Sequence, residues 1–197
     1  DGSQVELPQP LNNITISAHS TQHTVPSCAW KISTGGRKGK FNREATQNLP
    51  DEIKAVLASG EDIEYEGELL EAINYRSNYR PGQSVIISGD TAEQAIDSEC
   101  DLLIHEATFL KTHIDIANEH LHSTAAGAAR TAIECNAKHL ALTHYSGRLE
   151  GHTASLNEAR EIHSSVFALS DGDRLVLNDD YSLQHLVKSP EGWNHQG

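Results

Sequence analysis

Apolar and polar positions alternate early in the chain. Ile14, Ile16 and Ala18 fall on one side of an extended segment, and the run SCAWKI (27–32) follows after a polar turn containing His23. Successive side chains of a strand point to opposite faces, so this period of two predicts a pair of strands joined as a hairpin. Between 39 and 81 the pattern loosens: a short helical period over 50–58 gives way to acidic, turn-rich sequence ending at Pro81 and Gly82. From residue 84 it changes again. SVIIS (84–88), DLLIH (101–105) and HLALT (139–143) read as strands, with helical segments over 91–98 and 123–136 between them. Ala125, Ala128, Ala129 and Ala132 recur at helical spacing and are small enough to let a helix lie close on a sheet, while Ser123 or Thr124 can cap its first turn. A last helix over 154–166 leads into FALSDGDRLVLND and the strand-like YSLQHLVK, and 190–197 reads as a loose tail. The whole is an α/β pattern with no internal repeat.

Ligands of open α/β sheets bind beyond the carboxyl ends of the strands, where this sequence places Asp90, His105 with Glu106, and His144. Carboxylate and neutral imidazole form the ligand set of zinc and related divalent ions. Each residue also has a plain structural reading. Asp90 can cap a following helix, His144 can be a partly buried histidine with its bonds satisfied, and His23 can be an exposed turn residue. The chain holds twelve histidines, so most of them cannot be ligands.

Composition narrows the setting. With 197 residues and 37% hydrophobic content, one sizeable core is expected. The formal net charge of −13 repels polyanions over most of the surface, so a nucleic-acid site has to be local or metal-assisted. No apolar run is long enough to span a bilayer and no signal-peptide pattern is present, which makes a cytoplasmic protein without membrane attachment the expectation. Cys28, Cys100 and Cys135 are odd in number and far apart, and read as reduced thiols. The sequence contains no methionine, which implies processing or truncation.

The segments QHTVPSCAW, SGDT, CDLLIHEATF, HSTAAGAARTA, LALTHYSGR and LSDGD, in this order from His23 to Asp173, resemble the C-terminal half of ribonuclease Z, the tRNA 3′-processing endonuclease of the metallo-β-lactamase fold. The resemblance implies the C-terminal half of an αββα sandwich. It implies two divalent metal ions, zinc foremost with manganese or iron also open, held by His23 on one, His144 on the other and Asp90 bridging both. It further implies that His122 protonates the leaving 3′ oxygen with Glu106 orienting it, and that Ser146 and Arg148 contact phosphate, where a plain surface loop is an equal reading.

The sequence departs from the family twice. The His-X-His-X-Asp-His motif of the N-terminal half, which supplies further metal ligands and the aspartate that handles the nucleophilic water, is absent. The chain therefore corresponds to about half of a site, and by itself is expected to be inactive without that half or a companion chain. The second departure is the region 39–81, where family members insert a tRNA-binding arm: here it lacks a Gly-Pro pair and is strongly acidic. The expected function is a metal-dependent endoribonuclease cleaving the 3′ trailer of precursor tRNA. The alternatives are a hydrolase of small phosphodiesters or other esters, and a non-catalytic half-domain serving as scaffold or dimerisation partner. A homodimer is expected.

Overall fold

The computed structural model describes residues 3–5, 11 and 13–195. They form two compact units, one running to Thr34 and resuming at Gln83, the other spanning Gly35–Gly82.

In chain order the elements are β1 (Ser3–Val5), β2 (Ile14–Ser20), β3 (Cys28–Thr34), α1 (Asp51–Ser59), β4 (Ile63–Tyr65), β5 (Glu68–Leu70), β6 (Ser84–Ile87), β7 (Leu102–Glu106), α2 (Ile114–His120), α3 (Ala125–Glu134), β8 (His139–Thr143), α4 (Thr153–Arg160), β9 (Val166–Ala168), β10 (Arg174–Leu177), β11 (Leu183–Ser189) and β12 (Gly192–His195). The first unit is built on a seven-stranded sheet in the order β1-β2-β3-β6-β7-β8-β9. The predicted hairpin is β2 and β3, antiparallel with Ala18 opposite Trp30. β6 joins antiparallel to β3. β7, β8 and β9 then follow in parallel. A separate antiparallel sheet carries β10, β11 and β12.

Alternation gives the large sheet two different faces. Ala29, Ile86, Leu103, Leu140 and Leu142 point to one side and, with Ala125, Ala128, Ala129 and Ala132 of α3, form the core. The alanine spacing read from sequence is what lets α3 approach so closely, and Thr124 caps it by accepting the Gly127 N–H at 2.9 Å. Trp30 and its cross-strand partner Ile87 point to the other side, where they remain 42% and 40% exposed. Ile104, in register with Ile87 on the parallel neighbour, extends this apolar face.

The second unit is held by a guanidinium. Arg76 donates to the carbonyl oxygens of Gly39 (2.9 Å), Leu57 and Ala58, so it satisfies the end of α1, which terminates at the left-handed Gly60.

Three sequence expectations change. No helix forms over 91–98: Gln94 adopts a left-handed φ of 59°. Its N–H goes to Thr131 Oγ1 at 3.0 Å, so the chain turns against α3 and delivers Ile96 to the core in irregular backbone. The helix expected over 154–166 is shorter, Thr153–Arg160, since the chain must turn at 161–163 and enter β9 at Val166. The tail expected over 190–197 is a strand as far as His195, because Gly192 at φ 130° turns the chain back onto β11. Trp193 pins it, donating its ring N–H to the Gly172 carbonyl under the Arg174 guanidinium; residues 196–197 lie outside those described. No helix among the described residues is long and apolar enough to cross a membrane. All three cysteines are free, Cys100 and Cys135 being buried.

Candidate metal centre

Because β6, β7 and β8 run parallel, their carboxyl ends lie together, and β3, antiparallel to β6, begins at the same end. Five polar residues converge there: His23 in the β2–β3 connection, Asp90 just after β6, Glu106 at the end of β7, His122 ahead of α3 and His144 just after β8. The backbone that presents Asp90 is closely guided. Gly89 has a φ of 62°, and a Cβ on it would stand 2.9 Å from the Cys28 carbonyl oxygen, so only glycine passes. Ser27 Oγ donates to the Asp90 carbonyl at 2.8 Å, and the Ala92 N–H, two residues on, goes to the Gln22 carbonyl at 2.8 Å. Since no helix follows, Asp90 is not a cap. Its Oδ1 instead faces His144 Nε2 at 3.5 Å.

Glu106 is 1% exposed, and its carboxylate is fully engaged. Oε1 accepts from the Thr91 N–H at 3.1 Å and from His122 Nδ1 at 2.6 Å. Oε2 accepts from the Thr108 N–H at 3.1 Å and from the Thr108 hydroxyl at 2.6 Å. His23 Nδ1 donates to the Leu121 carbonyl at 3.0 Å, which leaves its Nε2 as the available atom. The His23 and His122 rings meet edge-on at 4.8 Å, and His122 stacks on His144 at 5.6 Å.

Potential ligand atoms of His23, Asp90 and His122 lie within 4.8 Å of one another, as do those of Glu106, His122 and His144. This donor set of imidazoles and a carboxylate fits a divalent cation. His122 reaches both groups, although its Nδ1 is already committed to Glu106.

His105, also at a strand end, takes no part: it is fully buried on the Leu103 side, where burial pushes its ring well below the usual histidine range despite a 2.7 Å bond to the Glu106 carbonyl. Ser146 lies next to His144 in a cleft of about 660 Å³ that Tyr145, His152, Ser170 and Asp171 also line. Arg148 is exposed, with its N–H on Ser146 Oγ at 3.3 Å. Thr108, which sequence reasoning did not single out, touches Glu106, His122 and His144 at once. The only signal for it was its place two residues after the glutamate in the HEAT segment.

The chain is 32% identical over 167 residues to a curated ribonuclease Z of Methanosarcina mazei, a match covering 81% of this chain and 55% of that protein. Ribonuclease Z of Haloferax volcanii is 33% identical over 172 residues (82% and 54%) and that of Archaeoglobus fulgidus 32% over 191 residues (92% and 61%). The chain thus spans about half the length of the curated relatives it matches. No family model matches. Among solved structures, the metallo-β-lactamase fold protein YhfI of Bacillus subtilis superposes with a TM-score of 0.50 at 19% identity, over 85% of this chain and 51% of that one. A long form ribonuclease Z from yeast gives 0.50 at 20%, over 81% and 17%. The resemblance to ribonuclease Z and the metallo-β-lactamase fold, both read from the motifs, are borne out.

Proposed function

We propose that this chain is part of a metal-dependent phosphodiesterase of the ribonuclease Z type. The single observation that carries the reading is the 3.5 Å approach of Asp90 Oδ1 to His144 Nε2. It sits beside His23 and beside the Glu106–His122 pair, at the sheet end where ligands bind. Two atoms that both carry lone pairs repel unless a proton or a cation lies between them, and this site has three further polar side chains within reach. His23, Asp90 and His144 would hold two divalent ions, with zinc the best match to their chemistry. Such ions supply an activated water and charge neutralisation at phosphate.

The residues of this chain do the rest. Glu106 holds the His122 ring by its Nδ1, so Nε2 is the atom that would give a proton to the leaving oxygen. Ser146, beside His144, and Arg148 would receive the phosphate that follows. The face formed by Trp30, Ile87 and Ile104 would be covered by the remaining part of the protein, since the curated relatives are nearly twice as long as the matched region. That part would also complete the ligand set, so this chain alone would turn over little substrate.

The first reading of the substrate is the 3′ trailer of precursor tRNA, the one implied by the resemblance of the motifs to ribonuclease Z, and the likeness to curated ribonucleases Z supports it. The run of acidic residues from Asp51 to Glu71 favours a second reading, a small phosphodiester, because an acidic unit repels a polyanion. The test uses the complete protein, stripped of metal and reloaded with zinc or manganese, on precursor tRNA and on bis(p-nitrophenyl) phosphate. Cleavage of both supports the first reading and cleavage of the small ester alone the second. Inactivity with every metal would sink both.

A further inference from the structure

The Thr108 hydroxyl has one proton and four neighbours. Its oxygen lies 2.6 Å from Glu106 Oε2, 2.8 Å from His144 Nδ1, 3.2 Å from the His144 carbonyl oxygen and 3.3 Å from His122 Nδ1. A carboxylate accepts and does not donate, and the charge-assisted bond is the short one, so the proton goes to Glu106. The 2.8 Å contact with His144 can then be a hydrogen bond only if the ring donates. In the neutral ring that places the His144 proton on Nδ1 and leaves Nε2, on the side facing Asp90, as the atom open to a cation between them.

The backbone agrees with this assignment. His144 adopts a φ of 53°, a left-handed conformation that costs a residue with a Cβ on the order of 1–2 kcal/mol. Hydrogen bonds on both sides hold it there: Ala107 N–H to the Thr143 carbonyl at 2.8 Å, and Ser146 N–H to the Thr108 carbonyl at 3.1 Å. The segment after β7 therefore clamps the turn after β8, and Thr108 stands at its centre.

We infer that Thr108 is a positioning residue that passes the orientation of the Glu106 carboxylate on to His144. One buried carboxylate thereby sets two histidines, His122 directly through Oε1 and His144 through the hydroxyl on Oε2. Both rings carry hydrogen on Nδ1 and present Nε2. The inference rests on the proposed role of His144 as a ligand only for its purpose, since the tautomer itself is a property of the metal-free protein.

The experiment reads ring protons in the complete protein, metal-free, at a pH above the ordinary histidine range. Long-range ¹H–¹⁵N imidazole correlations are recorded, with His144 assigned by loss of its signals in His144→Gln. The wild type is expected to show His144 with hydrogen on Nδ1, Thr108→Val to lose that preference, and Thr108→Ser to restore it. Zinc affinity, measured by competition with a chelator, should fall by roughly 10–100-fold in Thr108→Val and recover in Thr108→Ser, the usual effect of losing a partner behind a metal-binding histidine. Hydrogen on Nε2 of His144 in the wild type would overturn the inference even if no variant folds, and so would an unchanged tautomer in Thr108→Val. A wild type that shows the expected tautomer but binds no metal would sink the proposed function and leave the relay standing.

Discussion

Glu106 Oε1 lies 2.6 Å from His122 Nδ1, the carboxylate side chain 1% exposed and the imidazole 17%. The buried partner is fixed by four hydrogen bonds, so it is the rigid member, and the histidine is the one that reaches the open side of the site.

If the proposed function holds, His122→Ala in the complete protein should lower turnover by roughly 10²–10⁴-fold, the range for a lost general acid, with metal content unchanged. Glu106→Ala should act in the same direction, and the double variant should fall well short of the product of the two. Kinetics on substrates with poor and good leaving groups provide the check. Equal losses on both, or metal lost with His122, would remove the acid's role.

Asp90→Ala should release bound metal and abolish turnover together, because the carboxylate stands between the His23 and His144 sides of the cluster. Metal analysis by mass spectrometry decides it. Full metal occupancy in this variant would show that Asp90 is not a ligand.

Leu103 is fully buried in the core under α3. Leu103→Ala should cost about 2–5 kcal/mol of unfolding free energy, read from denaturant titration, since the close-packed alanine helix has little side chain with which to fill the space.

Acid should weaken the β10–β11 region through Asp173. Burial alone pushes its carboxyl up, but the Ser170 N–H at 3.0 Å, the His185 ring at 2.8 Å and the Lys188 N–H at 3.2 Å outweigh burial and hold it below the usual range. A depressed carboxyl stabilises the fold fully above the unfolded value of about 3.9 and loses that contribution as pH falls toward its folded value. Asp173→Asn should therefore flatten the dependence of stability on pH below about 4, measured by denaturant titration across that range.

What the sequence made legible is tied to strand ends. Asp90, Glu106 and His144 each follow an apolar run, and a parallel sheet puts such positions side by side. His23 and His122 lie on connections, whose paths no periodicity reveals, and they entered through the family resemblance. Thr108 went unseen because its importance lies in touching three residues distant along the chain, while threonine alone carries no signal. The segment over 91–98 failed for a related reason. Its apolar spacing suits a helix, but the Thr131 hydroxyl on α3 captures Gln94 and Ile96 is drawn into the core. Gly192 was read as part of a tail because a two-residue return onto β11 needs only one permissive backbone, which composition does not announce.

The bare sheet face around Trp30 and Ile87 has a consequence for how the chain behaves in solution. Its formal charge of −13 supplies the colloidal repulsion that keeps copies apart, while the apolar face supplies the attraction. At physiological ionic strength that repulsion already decays over about 8 Å, and sulfate both shortens it and strengthens apolar association. Light scattering from this polypeptide should accordingly rise with added ammonium sulfate, opposite to a complex held by ion pairs, and a charged residue in place of Trp30 should delay the onset.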